Sequence, residues 1–262
     1  MTNARRLLAA ALLRTAIAGV TPALVGAQSA QIIDQGSFTI MVGNQRVGRE
    51  DFRIEGTPGS SGALEYVARA TVVFGDRRLM PALHSDSLGR PSDYQIESRG
   101  TTTGSERWSG KISRGRVSAR INNARGESAK EYIVTDGALI LDDDVFHQYF
   151  FLARRTAGTS VTIVVPRRNA QLVLRVATTG TETVSIGTKE LEGRHLVLTE
   201  PDGATREAWV DGRGRVLKVA IPARNLVALR DDPPPPVAAR RTFGRRAAPG
   251  GASHDGRIGW AT

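Results

Sequence analysis

Short runs of alternating apolar and polar residues fill most of this 262-residue chain, and they restrict its fold more than any other feature. Successive side chains of a strand point to opposite faces, so alternation predicts strands with one buried face. The runs FTIMV and RVGREDFRIE are one example, because the Gly-Asn pair between them favours a tight turn. About fourteen such runs, joined by hairpin-length connections, predict antiparallel neighbours. The sequence therefore predicts a mainly β fold over residues 32–230, without an internal repeat.

One stretch, DDDVFHQYFFLARR at residues 142–155, departs from this alternation. On a helix at about 100° per residue, one arc of about 160° holds the apolar side chains, namely Val145, Phe146, Tyr149, Phe150, Leu152 and Ala153. His147, Gln148 and Phe151 fall outside that arc. Acids favour a helix N-terminus and arginines a C-terminus, so we expect Asp142 to Asp144 to cap the first turn. The interpretation is one amphipathic helix near residues 143–154, packed on the concave face of a single curled antiparallel sheet, a half-barrel or open barrel.

The two ends of the chain differ in composition from the middle. Residues 1–27 place Arg5 and Arg6 before an Ala-rich apolar run that ends in small residues, which predicts a signal peptide cleaved after Ala27. A membrane anchor is the alternative, and Arg14 within the apolar run argues against it. Residues 231–262 contain four consecutive prolines and no periodicity, which predicts a basic disordered tail. The predicted domain is thus residues 28–230, exported to the periplasm or the cell exterior, with no transmembrane anchor in the mature form.

Charge and cysteine content narrow the choice of partners. The net charge is +10, but residues 1–27 contribute three Arg and residues 231–262 five Arg against three Asp, which leaves +5 between them. An exported protein meets little nucleic acid, so we expect no nucleic-acid partner. An anionic envelope component, such as an acidic lipid head group or a polysaccharide, is the alternative to a basic surface that is merely solvated. The chain has no cysteine, which excludes disulfides, thiol nucleophiles and lipid attachment at a cysteine.

Three stretches taken together resemble a known family. They are HSDSLGRPSDYQIESRG, DDDVFHQYFFLARR and VSIGTKELEGRHLVLTEPDGATREAWVDGRGRVLKVAIP. In this order they resemble an uncharacterised family of exported bacterial proteins, a domain of unknown function similar in pattern to the LolA-like lipoprotein-carrier half-barrels. The resemblance covers residues 36–230. It implies a long antiparallel sheet curled around a helix, with an apolar concave face of the kind that holds acyl chains in the carriers. It brings no catalytic residues, and fold analogy alone does not establish function.

No motif in the chain predicts catalysis. A Gly-x-Ser-x-Gly elbow, a phosphate loop and a dinucleotide fingerprint are all absent from the sequence. Adjacent acids such as Glu50 and Asp51 point to opposite faces of a strand and do not converge as a glycosidase pair. Asp143 and His147 are four residues apart and suit a metal, but helix capping explains them as well. We therefore predict no enzyme, no metal and no cofactor.

The remaining hypothesis is a monomeric binding protein for a hydrophobic or lipid-like ligand. Its predicted ligand-binding residues are the aromatic side chains of the helix and of two strands: Phe146, Tyr149, Phe150, Trp108 and Trp209. Two alternatives stay open. These residues are plain core, or the protein is an envelope scaffold that binds polysaccharide or protein partners. A hydrolase is the least favoured alternative.

Overall fold

The computed structural model describes residues 30–59, 62–102, 104–155 and 158–235. The predicted signal peptide and residues 236–262 lie outside the described residues. The described part contains fifteen strands, one α-helix and two 3-10 turns. The strands are β1 (Gln31–Val42), β2 (Gln45–Pro58), β3 (Leu64–Phe74), β4 (Arg77–Ser85), β5 (Pro91–Gly100), β6 (Gly104–Ser113), β7 (Arg116–Asn123), β8 (Gly126–Ile133), β9 (Leu139–Ile140), β10 (Ser160–Val165), β11 (Ala170–Ile186), β12 (Lys189–Thr199), β13 (Thr205–Val210), β14 (Val216–Ile221) and β15 (Leu226–Arg230). The helix is α1 (Tyr149–Leu152), and the 3-10 turns are Pro166–Arg168 and Pro222–Arg224.

All fifteen strands form one sheet, which confirms the prediction of a mainly β fold built from hairpins. Its order is β8-β7-β6-β5-β4-β3-β2-β1-β15-β14-β13-β12-β11-β10-β9. Every neighbouring pair is antiparallel except β9 and β10, which pair in parallel. The sheet is mixed and not closed, since no pairing within the described ranges joins β8 to β9. Two side-chain hydrogen bonds join the β8 end of the sheet to β10 and the turn after it, Thr135 to Thr162 at 2.7 Å and Tyr132 to Asn169 at 2.7 Å.

Strand β11 is longer than the alternation predicts. The runs QLVLRVA and TETVSIG, expected as two strands, form one strand of 17 residues. The pairing of β11 with β12 shifts between Thr178 and Gly180, and Gly180 has a φ of 142°. A bulge of this kind bends a strand without ending it, and it exchanges the faces that its side chains cover. The Thr-Thr-Gly sequence therefore marks a bend and not a turn.

The bulge explains why the apolar side chains form two clusters. The main cluster contains the inward-facing residues of nearly every strand, including Leu174 and Val176 before the bulge. The small cluster consists of Val184 and Ile186 after the bulge together with Trp209 and Leu217. On β13 the neighbours Ala208 and Val210 belong to the main cluster. Side chains alternate between faces along a strand, so the small cluster lies on the opposite face of the sheet.

The predicted helix over 143–154 is wrong in length, because α1 covers only Tyr149–Leu152. The capping prediction is also wrong. Gln148 occupies the N-cap without a side-chain hydrogen bond, and the first turn has no acid. Asp144 has a φ of 61°, in the left-handed region, where a right-handed helix cannot continue. Residues 141–148 therefore run as turns and irregular chain.

A buried ion pair holds the beginning of β1 to the end of β15. The side chains of Arg230 and Asp34 are each 1% exposed, and two nitrogens of Arg230 donate to Asp34 at 2.8 and 3.0 Å. The remaining bonds of Arg230 go to backbone carbonyls, those of Gln35, Val216 and Asp232. All five N–H groups of the guanidinium thus have acceptors. Burial raises the pKa of Asp34, and Arg230 opposes that rise.

Replacing Asp34 by Ala should destabilise the fold by about 3–5 kcal/mol, because it leaves the buried charge of Arg230 without its partner. Urea unfolding followed by circular dichroism measures the change. Asp51→Ala is the control, since Asp51 forms an exposed pair with Arg49 and such pairs contribute about 0–1 kcal/mol. Equal midpoints for the two variants would contradict the role assigned to Asp34.

Candidate functional site

Residues 141–153, between β9 and β10, form a buried segment that we call the interior segment. Every one of its residues is buried except the half-buried Asp143. His147, Gln148 and Phe151, which the helical projection placed outside the apolar arc, are each 1% exposed. The segment therefore makes contacts on all sides and not on one face only. Its apolar residues belong to the main core cluster.

The carboxylate of Glu50 on β2 fixes the middle of the interior segment. Glu50 is fully buried and accepts hydrogen bonds from the amides of Phe146 at 2.6 Å and His147 at 3.0 Å. The Nδ1 of His147 donates to the same carboxylate at 2.5 Å. The other ring nitrogen, Nε2, is also buried, and it has no hydrogen-bond partner within the described ranges. The ring of Phe52 stacks on His147 with centroids 5.9 Å apart.

Aromatic rings and arginines hold the end of the interior segment. The ring of Phe150 meets Tyr66 on β3 edge-on, with centroids 5.8 Å apart. The guanidinium of Arg154 lies 3.8 Å from the centroid of Phe150 and donates to the hydroxyl of Tyr66. Arg194 on β12 donates to the carbonyl of Ala153 at 2.9 Å. Strands β3 and β12, on either side of β1 in the sheet order, therefore both contact this end of the segment.

The predicted ligand-binding residues lie in two places. Phe146, Tyr149 and Phe150 of the interior segment join Trp108 in the main core cluster. Trp209 lies in the small cluster on the opposite face. The ring of Trp209 stacks on His195 at 4.3 Å between centroids and has the Nζ of Lys218 at 4.2 Å. The structure thus brings four of the five residues together and leaves Trp209 apart.

The metal candidates Asp143 and His147 point to different partners. His147 contacts Glu50, whereas Asp143 contacts Arg206 at 3.4 Å and Arg168 at 3.7 Å. No group of three or more His, Cys, Asp or Glu side chains in the described ranges is placed to hold a metal ion. None of the described helices is long and apolar enough to cross a membrane.

A polar pocket of about 540 Å³ lies at the start of the interior segment, and we call it the arginine pocket. Its charged lining consists of five arginines and four acids: Arg77, Arg167, Arg168, Arg206 and Arg224, with Asp143, Asp144, Glu200 and Asp202. Four of the arginines come from turns or strand starts that follow β3, β10, β12 and β14, and Arg167 shares the turn of Arg168. These four strands run in the same direction. Neighbouring strands between them are antiparallel, and an even number of neighbour pairs separates any two of the four in the sheet order. Their ends therefore lie at one rim of the sheet.

Asp144 is the most heavily paired acid of the pocket. It is 4% exposed, and its Oδ2 accepts a hydrogen bond from Arg77 at 3.2 Å. The Nη2 of Arg224 lies 2.7 Å from Oδ1 as an ion pair, without the alignment of a hydrogen bond. Arg167 is third, with Nη2 at 3.8 Å from Oδ2. Three guanidinium groups thus surround one carboxylate.

Asp142, behind the pocket, is fully enclosed. It accepts hydrogen bonds from the hydroxyl of Tyr94 at 3.1 Å and from the Nε of Arg167 at 3.2 Å. Burial raises the pKa of Asp142, and the charge of Arg167 opposes that rise. Burial and the nearby Asp142 raise the pKa of Tyr94 well above its usual value. Burial acts to lower the pKa of Arg206, but Tyr149, Glu200 and Asp143 outweigh it and raise that pKa, so this guanidinium stays charged.

The arginines keep free donors although each has a carboxylate nearby. A guanidinium has five N–H groups. Arg168 and Arg224, whose side chains are 44% and 37% exposed, each pair with one carboxylate. The Nη2 of Arg167 is buried and has no hydrogen-bond partner among the described residues. Arg168 and Arg224 therefore keep exposed N–H groups at the pocket for an added anion.

This pocket was not predicted from the sequence, although the chain contains a signal for it. The turns after β10 and β14 read PRRN and PARN, each with Pro first and Asn last. Asn169 and Asn225 both end a 3-10 turn in the left-handed conformation, with φ of 54° and 49°. Asn tolerates that conformation better than most residues. The repeated Pro-x-Arg-Asn pattern thus places an arginine at the same position of two equivalent turns.

Comparison with known proteins finds similar chains among solved structures. No protein-family model matches the chain, and no curated protein matches it. A similar solved structure is the crystal structure of a beta-barrel-like protein of domain of unknown function DUF1849 from Brucella abortus. It is 9% identical, with a TM-score of 0.48, and the alignment covers 75% of this chain and 94% of that chain. That neighbour has no stated function. Similarity to lipoprotein carriers and export of the chain stay predictions.

Replacing Glu50 by Ala should lower the free energy of unfolding by about 3 kcal/mol or more, because two buried amides and a ring N–H lose a charged acceptor. Urea unfolding measures the loss. Amide hydrogen exchange should also become faster at Phe146 and His147. Glu55→Ala is the control on the same strand, since Glu55 pairs with Arg53 at the surface. A loss no larger than that of the control would show that Glu50 does not hold the segment.

Proposed function

We propose that the protein is a non-catalytic binding protein whose site is the arginine pocket, and that its ligand bears phosphate or carboxylate groups. The observation that supports this proposal is the convergence of five guanidinium groups, from four separate turns and strand starts, on one open pocket. Guanidinium groups bind planar or tetrahedral oxyanions through paired, charge-assisted hydrogen bonds. The pocket lining contains no Ser, Cys, His or Lys, and three of its four acids, Asp143, Asp144 and Glu200, form ion pairs with arginines.

The proposal includes an envelope setting, taken from the predicted export signal. There the anionic component is a phosphate-bearing head group of a lipid or a free phosphate compound, since both present the same oxygens. A scaffold that binds acidic polysaccharide is the alternative function, and its carboxylates would use the same arginines. The excess of +5 on residues 28–230 favours the approach of any of these anions.

Arg224→Ala should weaken pyrophosphate binding by at least about tenfold, because one charge-assisted contact contributes about 1.5–3 kcal/mol and 1.4 kcal/mol is a factor of ten. Isothermal titration calorimetry at low and at physiological salt measures the affinity. Arg69→Ala is the matched control, since it removes the same charge from an exposed site outside the pocket.

Two further anionic ligands separate the sources of the anion. Vesicles of phosphatidylglycerol, with phosphatidylcholine as the neutral comparison, test a lipid head group. An acidic polysaccharide such as polygalacturonate tests the scaffold alternative. Absence of binding of all three anionic probes, or an equal effect of Arg69→Ala and Arg224→Ala, would contradict the arginine pocket as the site.

A second candidate function is the predicted one, a carrier for a hydrophobic or lipid-like ligand. In it the interior segment, with α1, covers the concave apolar face of the sheet and moves aside for an acyl chain. One observation favours it. The segment has only four helical residues, and it leaves a buried polar atom, the Nε2 of His147, without a hydrogen-bond partner in the described part of the chain. Such a segment is held by separate contacts and not by a continuous helical backbone.

Under this second function Phe150→Ala should cost less than the about 3–5 kcal/mol of an ordinary core phenylalanine, and it should change the uptake of a fluorescent fatty acid. Urea unfolding and fluorescence titration measure the two effects. Leu79→Ala, at a fully buried core position on β4, is the reference for a core penalty. A full core penalty at Phe150 together with no uptake by the wild type would leave the interior as packed core.

A further inference from the structure

Asp144 occupies the arginine pocket as an anion would. Its carboxylate has Arg77 and Arg224 on its two oxygens, at 3.2 and 2.7 Å, with Arg167 at 3.8 Å. Asp144 reaches this position with a φ of 61°, which few residues other than glycine adopt. Asp and Asn adopt this region more readily than most other residues. The three arginines hold the Asp144 carboxylate in this position.

Each of these three arginines has a contact that does not involve Asp144. The guanidinium groups of Arg77 and Arg224 each lie 5.6 Å from the ring centroid of Phe74. The Nε of Arg167 bonds to Asp142, and its amide bonds to the same carboxylate at 3.4 Å. The three cationic groups therefore keep protein contacts of their own when the carboxylate of Asp144 is replaced by another anion.

We propose that Asp144 is the resident occupant of an oxyanion site formed by Arg77, Arg167 and Arg224, and that an incoming phosphate group displaces it. The proposal rests on the proposed anion-binding function and adds its regulation. Asp144 precedes Val145 and the two amides held by Glu50, so its release loosens the start of the interior segment. Ligand binding and the order of the buried segment are then coupled, because both compete for the same guanidinium groups.

The first test compares Asp144→Asn with Asp143→Asn in pyrophosphate titrations. Asn also tolerates the left-handed region, so Asp144→Asn removes the charge and keeps the backbone. Asp143 lines the same pocket but contacts Arg168 and Arg206. We expect Asp144→Asn to bind pyrophosphate at least tenfold more tightly than the wild type, and Asp143→Asn less than threefold more tightly.

Each outcome of this titration decides something. Equal gains for the two variants would indicate a general charge effect and overturn the inference. Binding by the wild type without a gain in Asp144→Asn would overturn the inference and leave the proposed function standing. Absence of binding by all three proteins would overturn both. Circular dichroism and the urea midpoint check that each variant is folded.

A second test uses the wild type alone and does not depend on any variant. Amide hydrogen exchange is measured for residues 143–148 with and without saturating pyrophosphate. A ligand that only adds contacts slows exchange, whereas displacement of Asp144 should speed it at least threefold at these amides. Slower or unchanged exchange with bound pyrophosphate would overturn the displacement.

Discussion

The buried carboxylate of Glu50 accepts the hydrogen bonds that the interior segment needs in order to be buried. A non-helical segment inside a protein leaves backbone N–H groups without partners, and each unpaired group costs free energy. The amides of Phe146 and His147 are two such groups, and both donate to Glu50. The third donor, the Nδ1 of His147, orients the ring that stacks on Phe52. The side chain of Glu50 thus accepts the backbone hydrogen bonds that the carbonyls of a helical turn would otherwise accept.

The same solution explains the polar groups at the start of the segment. Asp142 to Asp144 do not cap a helix but meet arginines from the rim of the sheet. Burial makes each unpaired charge costly, so every acid that enters needs a cation beside it. The arginine pocket is therefore the place where the sheet neutralises the acids of its own interior segment. A foreign anion at this place has to compete with them, which connects ligand binding to the internal packing.

The strands could be predicted from the sequence, because alternation and tight turns are local properties. The first hairpin is an example, with its turn at Gly43 and Asn44 between β1 and β2. The sequence could not predict the bend at Gly180 or the parallel pairing of Leu139 and Ile140. Each of these features depends on which partner strand lies alongside. The predicted length of the helix was too great for the same reason. Three acids followed by aromatic residues are locally compatible with a capped helix. In the structure, however, Glu50, 96 residues earlier in the chain, accepts the amide hydrogen bond of Phe146 that a helix would use for its own backbone.

The arginine pocket was missed because its residues are far apart in sequence and each looks ordinary in its own turn. In a sheet built from consecutive hairpins, however, alternate turns lie at the same rim. Arg77, Arg168 and Arg224 follow β3, β10 and β14, which run in one direction in the observed order. The parity of the strands, and not the spacing of the residues, brings these side chains together. In a sheet of this kind, residues in alternate turns are therefore the ones to consider as members of one site. The rim at which each turn lies follows from the strand order, which includes the short strand β9.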